Sequence, residues 1–97
     1  MIIKLKKFGT LLLSRPVGKE ALNALEPALS DVNADENIEI DFSGVLTFSP
    51  SWGDEFLSPL ADRFGDHLTL MPSDNLSVHA TLKVLQEVNK RPFNIKS

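Results

Sequence analysis

The residues most able to do chemistry are concentrated in one stretch, DFSGVLTFSPSWGDEF, which runs from Asp41 to Phe56. The stretch holds three serines, the only tryptophan of the chain and two adjacent carboxylates. A serine at the start of a helix can cap the helix, bind a phosphate group or accept one. Adjacent carboxylates raise the question of acid–base catalysis. The stretch therefore predicts a capping corner, an anion site, a phosphorylation site or a catalytic site.

The two adjacent carboxylates, Asp54 and Glu55, favour a structural role over catalysis. Neighbouring residues on a helix point about 100° apart, so we expect that these side chains do not share a site. In the first turn of a helix they would offset the positive end of the helix dipole. Ser51, three residues before Asp54, predicts a capping box. A charged surface for a partner protein is the alternative role of this pair.

The serines that precede these carboxylates allow three roles. The simplest is that Ser49 caps the helix and Pro50 takes its first position. Free backbone N–H groups between Ser49 and Gly53 would instead bind an anion, a small ligand or the phosphate of a nucleotide. Phosphorylation would add about −1.5 to −2 charges, which changes the surface without unfolding the helix.

Trp52 allows two interpretations. It begins a stripe of apolar residues that repeats every four positions through Phe56, Leu60 and Phe64, which is typical of a buried helix face. It also lies at the end of that stripe, where a tryptophan can anchor a partner protein. We favour the core position and keep the partner-facing anchor as the alternative.

Other catalytic and metal-binding chemistry has little support in the sequence. The chain has no cysteine, which excludes disulfides and thiolate sites. His67 and His79 fall in different predicted elements, so their spacing does not predict a metal site. The sequence has no Gly-x-Ser-x-Gly elbow, phosphate-binding loop or dinucleotide fingerprint. We therefore expect no catalytic residue, no metal ion, no cofactor and no enzymatic activity.

Composition and charge narrow the class of protein. A chain of 97 residues that is 42% hydrophobic and 24% charged predicts one globular domain over residues 1–97. The formal net charge of −3 and the pI of about 5.2 disfavour nucleic-acid binding, which depends on neutralising phosphates. The apolar runs are too short to cross a bilayer. We expect a cytoplasmic protein that does not contact a membrane.

Basic residues gather near both ends of the chain, at Lys4, Lys6, Lys7, Lys90, Arg91 and Lys96. We interpret them as solvated charges. An edge strand near residues 2–6 would permit a dimer by sheet extension, but its lysines oppose such pairing. We expect a monomer or a weak dimer.

Hydrophobic periodicity predicts strands that alternate with helices. The strands are predicted at residues 2–6, 38–42 and 67–71. The helices are predicted to begin after Ser14 or Arg15, after Ser49, and after Asn75 or Ser77. The order β(β)αβαβα predicts an α/β sandwich with a mixed, mostly parallel sheet and helices packed on it.

Three local details complete this prediction. Leu11–Leu13 are predicted to fold back and pair as a second strand, and a helix is the alternative for three successive leucines. Pro27 is expected to kink or end the first helix, and Pro59 to bend the second, because proline removes a helical hydrogen bond. Gly65 is predicted to end the second helix, and residues 93–97 are predicted to form a tail.

Two segments of the chain resemble the STAS-like domains, relatives of the anti-sigma factor antagonists and of the cytoplasmic domains of sulfate transporters. IDFSGV at Ile40–Val45 and SPSWGDEF at Ser49–Phe56 carry the resemblance. More narrowly, the two motifs are similar to those of the STAS-like family of unknown function. The order of strands and helices predicted above agrees with this resemblance.

The resemblance implies a non-enzymatic regulatory module that binds another protein. In the anti-sigma factor antagonists, an Asp-Ser-Ser-Gly turn carries the phosphorylated serine, and the partner is a serine kinase with a histidine-kinase-like ATPase fold. The matching segment here is Pro50–Gly53, so Ser51 falls on the phosphoacceptor, while Pro50 and Trp52 depart from the pattern. The implied binding surface comprises Ser49, Ser51, Trp52, Gly53, Asp54 and Glu55.

Overall fold

The computed structural model describes residues 1–96 and contains six short strands and three long helices. The strands are β1 (Ile2–Lys4), β2 (Leu11–Leu12), β3 (Ile38–Asp41), β4 (Thr47–Phe48), β5 (Leu68–Leu70) and β6 (Asn94–Ile95). The helices are α1 (Arg15–Leu29), α2 (Pro50–Phe64) and α3 (Leu76–Asn89). Short 3₁₀ helices follow β1 at Leu5–Phe8 and precede β5 at Gly65–His67.

The main sheet has four parallel strands in the order β1-β3-β5-β6. Ile3 pairs in register with Ile40, and Ile40 pairs with Leu70. These residues are buried and lie on the face that the helices cover, which confirms the predicted α/β sandwich. The opposite face carries half-buried polar residues such as Glu39 and Thr69, so it remains open to water.

The last strand, β6, was not predicted. Asn94 pairs with Thr69 and Ile95 with Leu70, so the predicted tail instead extends the sheet. The Lys96 backbone N–H donates to the Leu70 carbonyl at 2.8 Å and prolongs this contact. A two-residue strand with one polar member carries no periodic signal, which explains why the sequence does not reveal it.

A separate two-stranded ribbon corrects the prediction for Leu11–Leu13. Leu11 and Leu12 pair in parallel with Thr47 and Phe48, rather than folding back on β1. The buried Leu12 and Phe48 side chains hold the ribbon on the core. The sequence does not predict β4 because it is only two residues long.

Both interior prolines are accommodated within their helices. α1 continues past Pro27 to Leu29, so of the two predicted effects, a kink or an end, Pro27 does not end the helix, and α2 contains Pro59. A proline removes one helical hydrogen bond. Leu29 is fully buried, and its packing favours continuing α1 despite that loss.

The start of α3 and the end of α2 follow the predicted chemistry. The Asn75 side chain accepts from the backbone N–H groups of Ser77 and Val78, so Asn75 is the cap of α3. Gly65 ends α2 with a φ of 54°, a conformation that glycine adopts without a steric penalty. Val17 of α1 and Val88 of α3 are 45% and 63% exposed, although both are apolar. No helix within residues 1–96 is long and apolar enough to cross a bilayer.

Candidate functional site

The candidate site is the corner, defined here as residues 48–55, where β4 passes into α2. Because β2 pairs with β4, the helices that follow these strands begin side by side. The Ser49 hydroxyl donates to the Leu13 carbonyl at 2.5 Å and ties the two helix starts together. A Cβ on Gly18 would lie 2.6 Å from the Trp52 carbonyl oxygen. Glycine at position 18 therefore permits the close approach of α1 to α2.

The start of α3 supports the corner from the other side. The Phe48 backbone N–H donates to the Ser77 hydroxyl at 3.1 Å, and the Thr81 hydroxyl donates to the Phe48 carbonyl at 2.5 Å. The Asn75 amide donates to the carbonyls of Val45 and Leu46, both at 2.9 Å. Side chains of α3 thus occupy the outer edge of β4, and the three long helices all begin around the corner.

Ser49 is the cap of α2, as predicted. Its hydroxyl accepts from the Trp52 backbone N–H at 3.3 Å, and Pro50 takes the first helical position. The predicted capping box between Ser51 and Asp54 is wrong because the helix begins two residues earlier than that box requires. No acidic residue lies in the first turn of α2, so the carboxylates do not have the predicted dipole role there.

Ser51 lies exposed at the second position of α2. Its hydroxyl and its backbone N–H have no hydrogen-bond partner within residues 1–96. Pro50 has no N–H, and the N–H of Trp52 is bound to Ser49. The first turn of α2 therefore presents a single free donor to an anion.

Trp52 is fully buried, which confirms the core interpretation and makes the partner-facing anchor wrong. Its ring stacks on Phe56, with ring centres 4.8 Å apart, and contacts Phe48 edge-on at 5.9 Å. Its Nε1 atom is buried without a hydrogen-bond partner within the described residues. Gly53 is also buried, since a Cβ there would lie 2.9 Å from Leu85 and Phe48 atoms. Both residues shape the corner from within and add nothing to its surface.

Asp54 and Glu55 share one partner, Arg15 of α1. Both carboxylates lie 2.9 Å from the same guanidinium nitrogen, Nη1, so the prediction that they do not share a site is wrong. The arginine is long enough to reach between side chains that diverge on α2. The hydrogen bond from Arg15 is the main reason that the pKa of Asp54 is lowered and that of Arg15 is raised. A carboxyl group with a lowered pKa is a poor proton donor near neutral pH.

Four exposed leucines lie on segments next to the corner, and sequence reasoning missed them as a group. They are Leu11, Leu13, Leu46 and Leu76, with exposed fractions of 58%, 49%, 67% and 81%. The Leu13 carbonyl accepts from the Ser49 hydroxyl of the corner at 2.5 Å, and the Leu46 carbonyl accepts from the Asn75 amide at the start of α3 at 2.9 Å. Leu11 and Leu13 lie on the outer face of the ribbon because side chains alternate along a strand. The sequence did hold one signal for two of them. In a strand the three leucines of LLL alternate between two faces, so if Leu12 is buried, Leu11 and Leu13 must be exposed.

The two histidines do not join the corner. His67 Nδ1 lies 3.2 Å from the Asn37 side-chain oxygen, and His79 Nε2 contacts the Ser73 carbonyl. Both histidines are exposed. Within residues 1–96, no three His, Asp or Glu residues lie close enough together to hold a metal ion.

No protein-family model matches the chain, and searches of curated proteins and of solved structures find no match. The resemblance to STAS-like domains rests on the motifs IDFSGV and SPSWGDEF. In the structure, the first motif spans the end of β3 and the turn that follows it, and the second spans the start of α2.

Proposed function

We propose that the chain is a non-enzymatic, STAS-like regulatory module that binds another protein through the corner. Its partner is a histidine-kinase-like ATPase, as the resemblance implies, and phosphorylation of Ser51 controls the contact. The carrying observation is the group of four exposed leucines, Leu11, Leu13, Leu46 and Leu76, on segments next to the corner. Exposed apolar surface is a common mark of a protein-binding site.

The exposed leucines give this surface its apolar part. Leu46 and Leu76 project from two segments that the Asn75 side chain connects. Exposed leucines gain free energy when a partner removes them from water, by about 25 cal/mol per Å² of apolar area. The charged group of Arg15, Asp54 and Glu55 beside them supplies polar contacts at the rim, where most interfaces carry them.

A phosphate on Ser51 would alter this rim. Ser51 is one helical turn from Asp54 and Glu55, so the three side chains share a face of α2. Arg15 already bonds both carboxylates, and phosphate oxygens would compete for the same guanidinium group. Arg15 and the free Ser51 N–H are the donors available to the phosphate. Phosphorylation thus rearranges the rim while the buried Trp52 keeps α2 in place.

Affinity capture from native lysate tests the apolar part of the proposal. The baits are the wild type, Leu46→Ser and Val88→Ser. Leu46 and Val88 are 67% and 63% exposed, so the two substitutions remove similar apolar surface, the first beside the corner and the second near the end of α3. We expect an ATPase of the histidine-kinase-like class on the wild type and on Val88→Ser, but not on Leu46→Ser. Equal retention of the ATPase by all three baits would show that the partner does not bind the surface beside the corner.

The alternative function, binding of a nucleotide or small anion between Ser49 and Gly53, has weaker support. The first turn of α2 offers one free N–H, whereas phosphate sites at helix starts use several. The nearby carboxylates also repel an anion. A thermal-shift screen with nucleotides and phosphorylated metabolites separates the two functions. A rise in Tm with one of these ligands, lost in Ser51→Pro, would favour the alternative.

A further inference from the structure

The outer edge of β1 is a second surface available for binding, formed by residues outside the corner. β1 is the first strand of the sheet order, so within residues 1–96 only β3 pairs with it. A groove of about 210 Å³ runs beside this edge, between β1 and α1. Its lining includes Ile2, Lys4, Lys7, Phe8 and Leu25.

The backbone of this edge is arranged to accept another strand. The Met1 carbonyl accepts from the Glu39 N–H at 2.8 Å, so the polar groups of Met1 face β3. Along a strand, the polar backbone groups of successive residues face opposite edges. The N–H and C=O of Ile2 and the N–H of Lys4 therefore face outward. An edge with unpaired groups of this kind is a template for an added strand.

The groove provides a place for side chains of the added strand. Its inner wall is apolar, formed by Phe8 together with Leu25 of α1. Phe8 is half-buried and packs on Phe56 with ring centres 5.4 Å apart, so this wall is continuous with the core. Since side chains alternate along a strand, every second residue of an added strand would point toward this wall.

The charges at the edge identify the occupant. Lys4 and Lys7 line the groove, and neither lysine forms a salt bridge within residues 1–96. Asp41 faces Lys4 across the β1–β3 pair, but its carboxylate accepts from the Ser43 N–H at 2.9 Å. Two copies of this edge would bring lysines together, which disfavours self-pairing. A segment with acidic residues complements the edge.

We propose that the edge of β1 and the adjacent groove bind an extended acidic segment of another protein, which adds to the sheet as a fifth strand. Main-chain hydrogen bonds to Ile2 and Lys4 supply the pairing. Apolar side chains of the segment fill the groove, and its carboxylates meet Lys4 and Lys7. Strand addition of this kind is a general mode of peptide recognition.

A labelled peptide of alternating valine and glutamate, blocked at both ends, tests the proposal by fluorescence anisotropy. We expect saturable binding to the wild type below about 1 mM, and weaker binding as salt rises. The double variant Lys4→Glu, Lys7→Glu should bind at least about tenfold more weakly. Lys19→Glu, Lys83→Glu makes the same change of net charge at exposed positions elsewhere and should bind like the wild type.

Two further peptides separate strand addition from attraction between charges. A peptide of alternating valine and lysine should not bind. The valine–glutamate peptide with every backbone amide N-methylated keeps its charge but has no backbone donors on either edge, and it should also fail to bind. Amide NMR should show shifts at Ile2 and Lys4 with the unmodified peptide. No binding by the wild type, equal binding by both double variants, or full binding of the methylated peptide would each overturn the proposal.

Discussion

Arg15 of α1 donates to Asp54 of α2 at 2.9 Å, and this contact joins two helices whose starts lie side by side. The same Nη1 atom also bonds Glu55 at 2.9 Å. The three charges sum to −1 beside the exposed Ser51. The contact therefore links the packing of α1 on α2 with the electrostatics of the proposed binding surface.

The contact predicts a pH dependence for Asp54→Asn. Because Arg15 lowers the pKa of Asp54 in the folded state, the ionised carboxylate favours folding. This contribution is complete above the ordinary value of 3.8 and is lost as the pH falls through the lowered pKa. Tm measured between pH 7 and pH 2 should be slightly lower for Asp54→Asn near neutral pH, and the difference should close below pH 3.8.

Asp31→Asn is the control for this prediction. Asp31 is exposed and its side chain has no hydrogen bond within residues 1–96. The Tm of Asp31→Asn should therefore equal that of the wild type at each pH. A gap between Asp54→Asn and the wild type that widens in acid would contradict the sign derived from the Arg15 contact.

Gly18→Ala should weaken the packing of α1 on α2. An added Cβ would lie 2.6 Å from the Trp52 carbonyl oxygen, so the backbones must move apart. We expect a loss of about 1–3 kcal/mol in the free energy of unfolding, measured with urea. Asn23→Ala at an exposed position of α1 should instead stabilise by up to about 0.7 kcal/mol. A stabilising Gly18→Ala would mean that the two helices do not approach as described.

Trp52→Phe should cost much less than Trp52→Ala. Phenylalanine keeps most of the ring packing against Phe48 and Phe56, and it removes a buried N–H that has no partner. We expect Trp52→Ala to lose about 3–5 kcal/mol because it leaves a large cavity. Urea unfolding of both variants measures the difference. Equal losses would indicate that the indole N–H has a partner, such as a buried water molecule.

The sequence was sufficient for the larger elements because their patterns are long. The Trp52 stripe and the strand at Ile38–Asp41 repeat with clear periods, and the structure places both as predicted. The turn residues were also informative, since Asn75 and Gly65 cap helices for local chemical reasons.

The sequence was insufficient where contacts between distant segments decide which strands pair and which side chains meet. The parallel pairing of Leu11 with Thr47 depends on two distant segments, each too short to show a period. Asp54 and Glu55 diverge locally, and only the packing of α1 brings Arg15 between them. The stripe favoured a core position for Trp52, and the alternative of a partner-facing anchor fails because Trp52 is enclosed where α1, β4 and α3 meet the start of α2.

The central claim is that the exposed corner binds a protein and that charge on Ser51 controls the contact. Parallel affinity capture on the wild type, Ser51→Asp and Asn23→Asp tests it most directly, because both variants add one negative charge at exposed positions of different helices. Circular dichroism confirms that each bait is folded. We expect a histidine-kinase-like ATPase on the wild type and Asn23→Asp, and its loss from Ser51→Asp. Equal retention by all three folded baits, or no retained protein on any of them, would contradict the account.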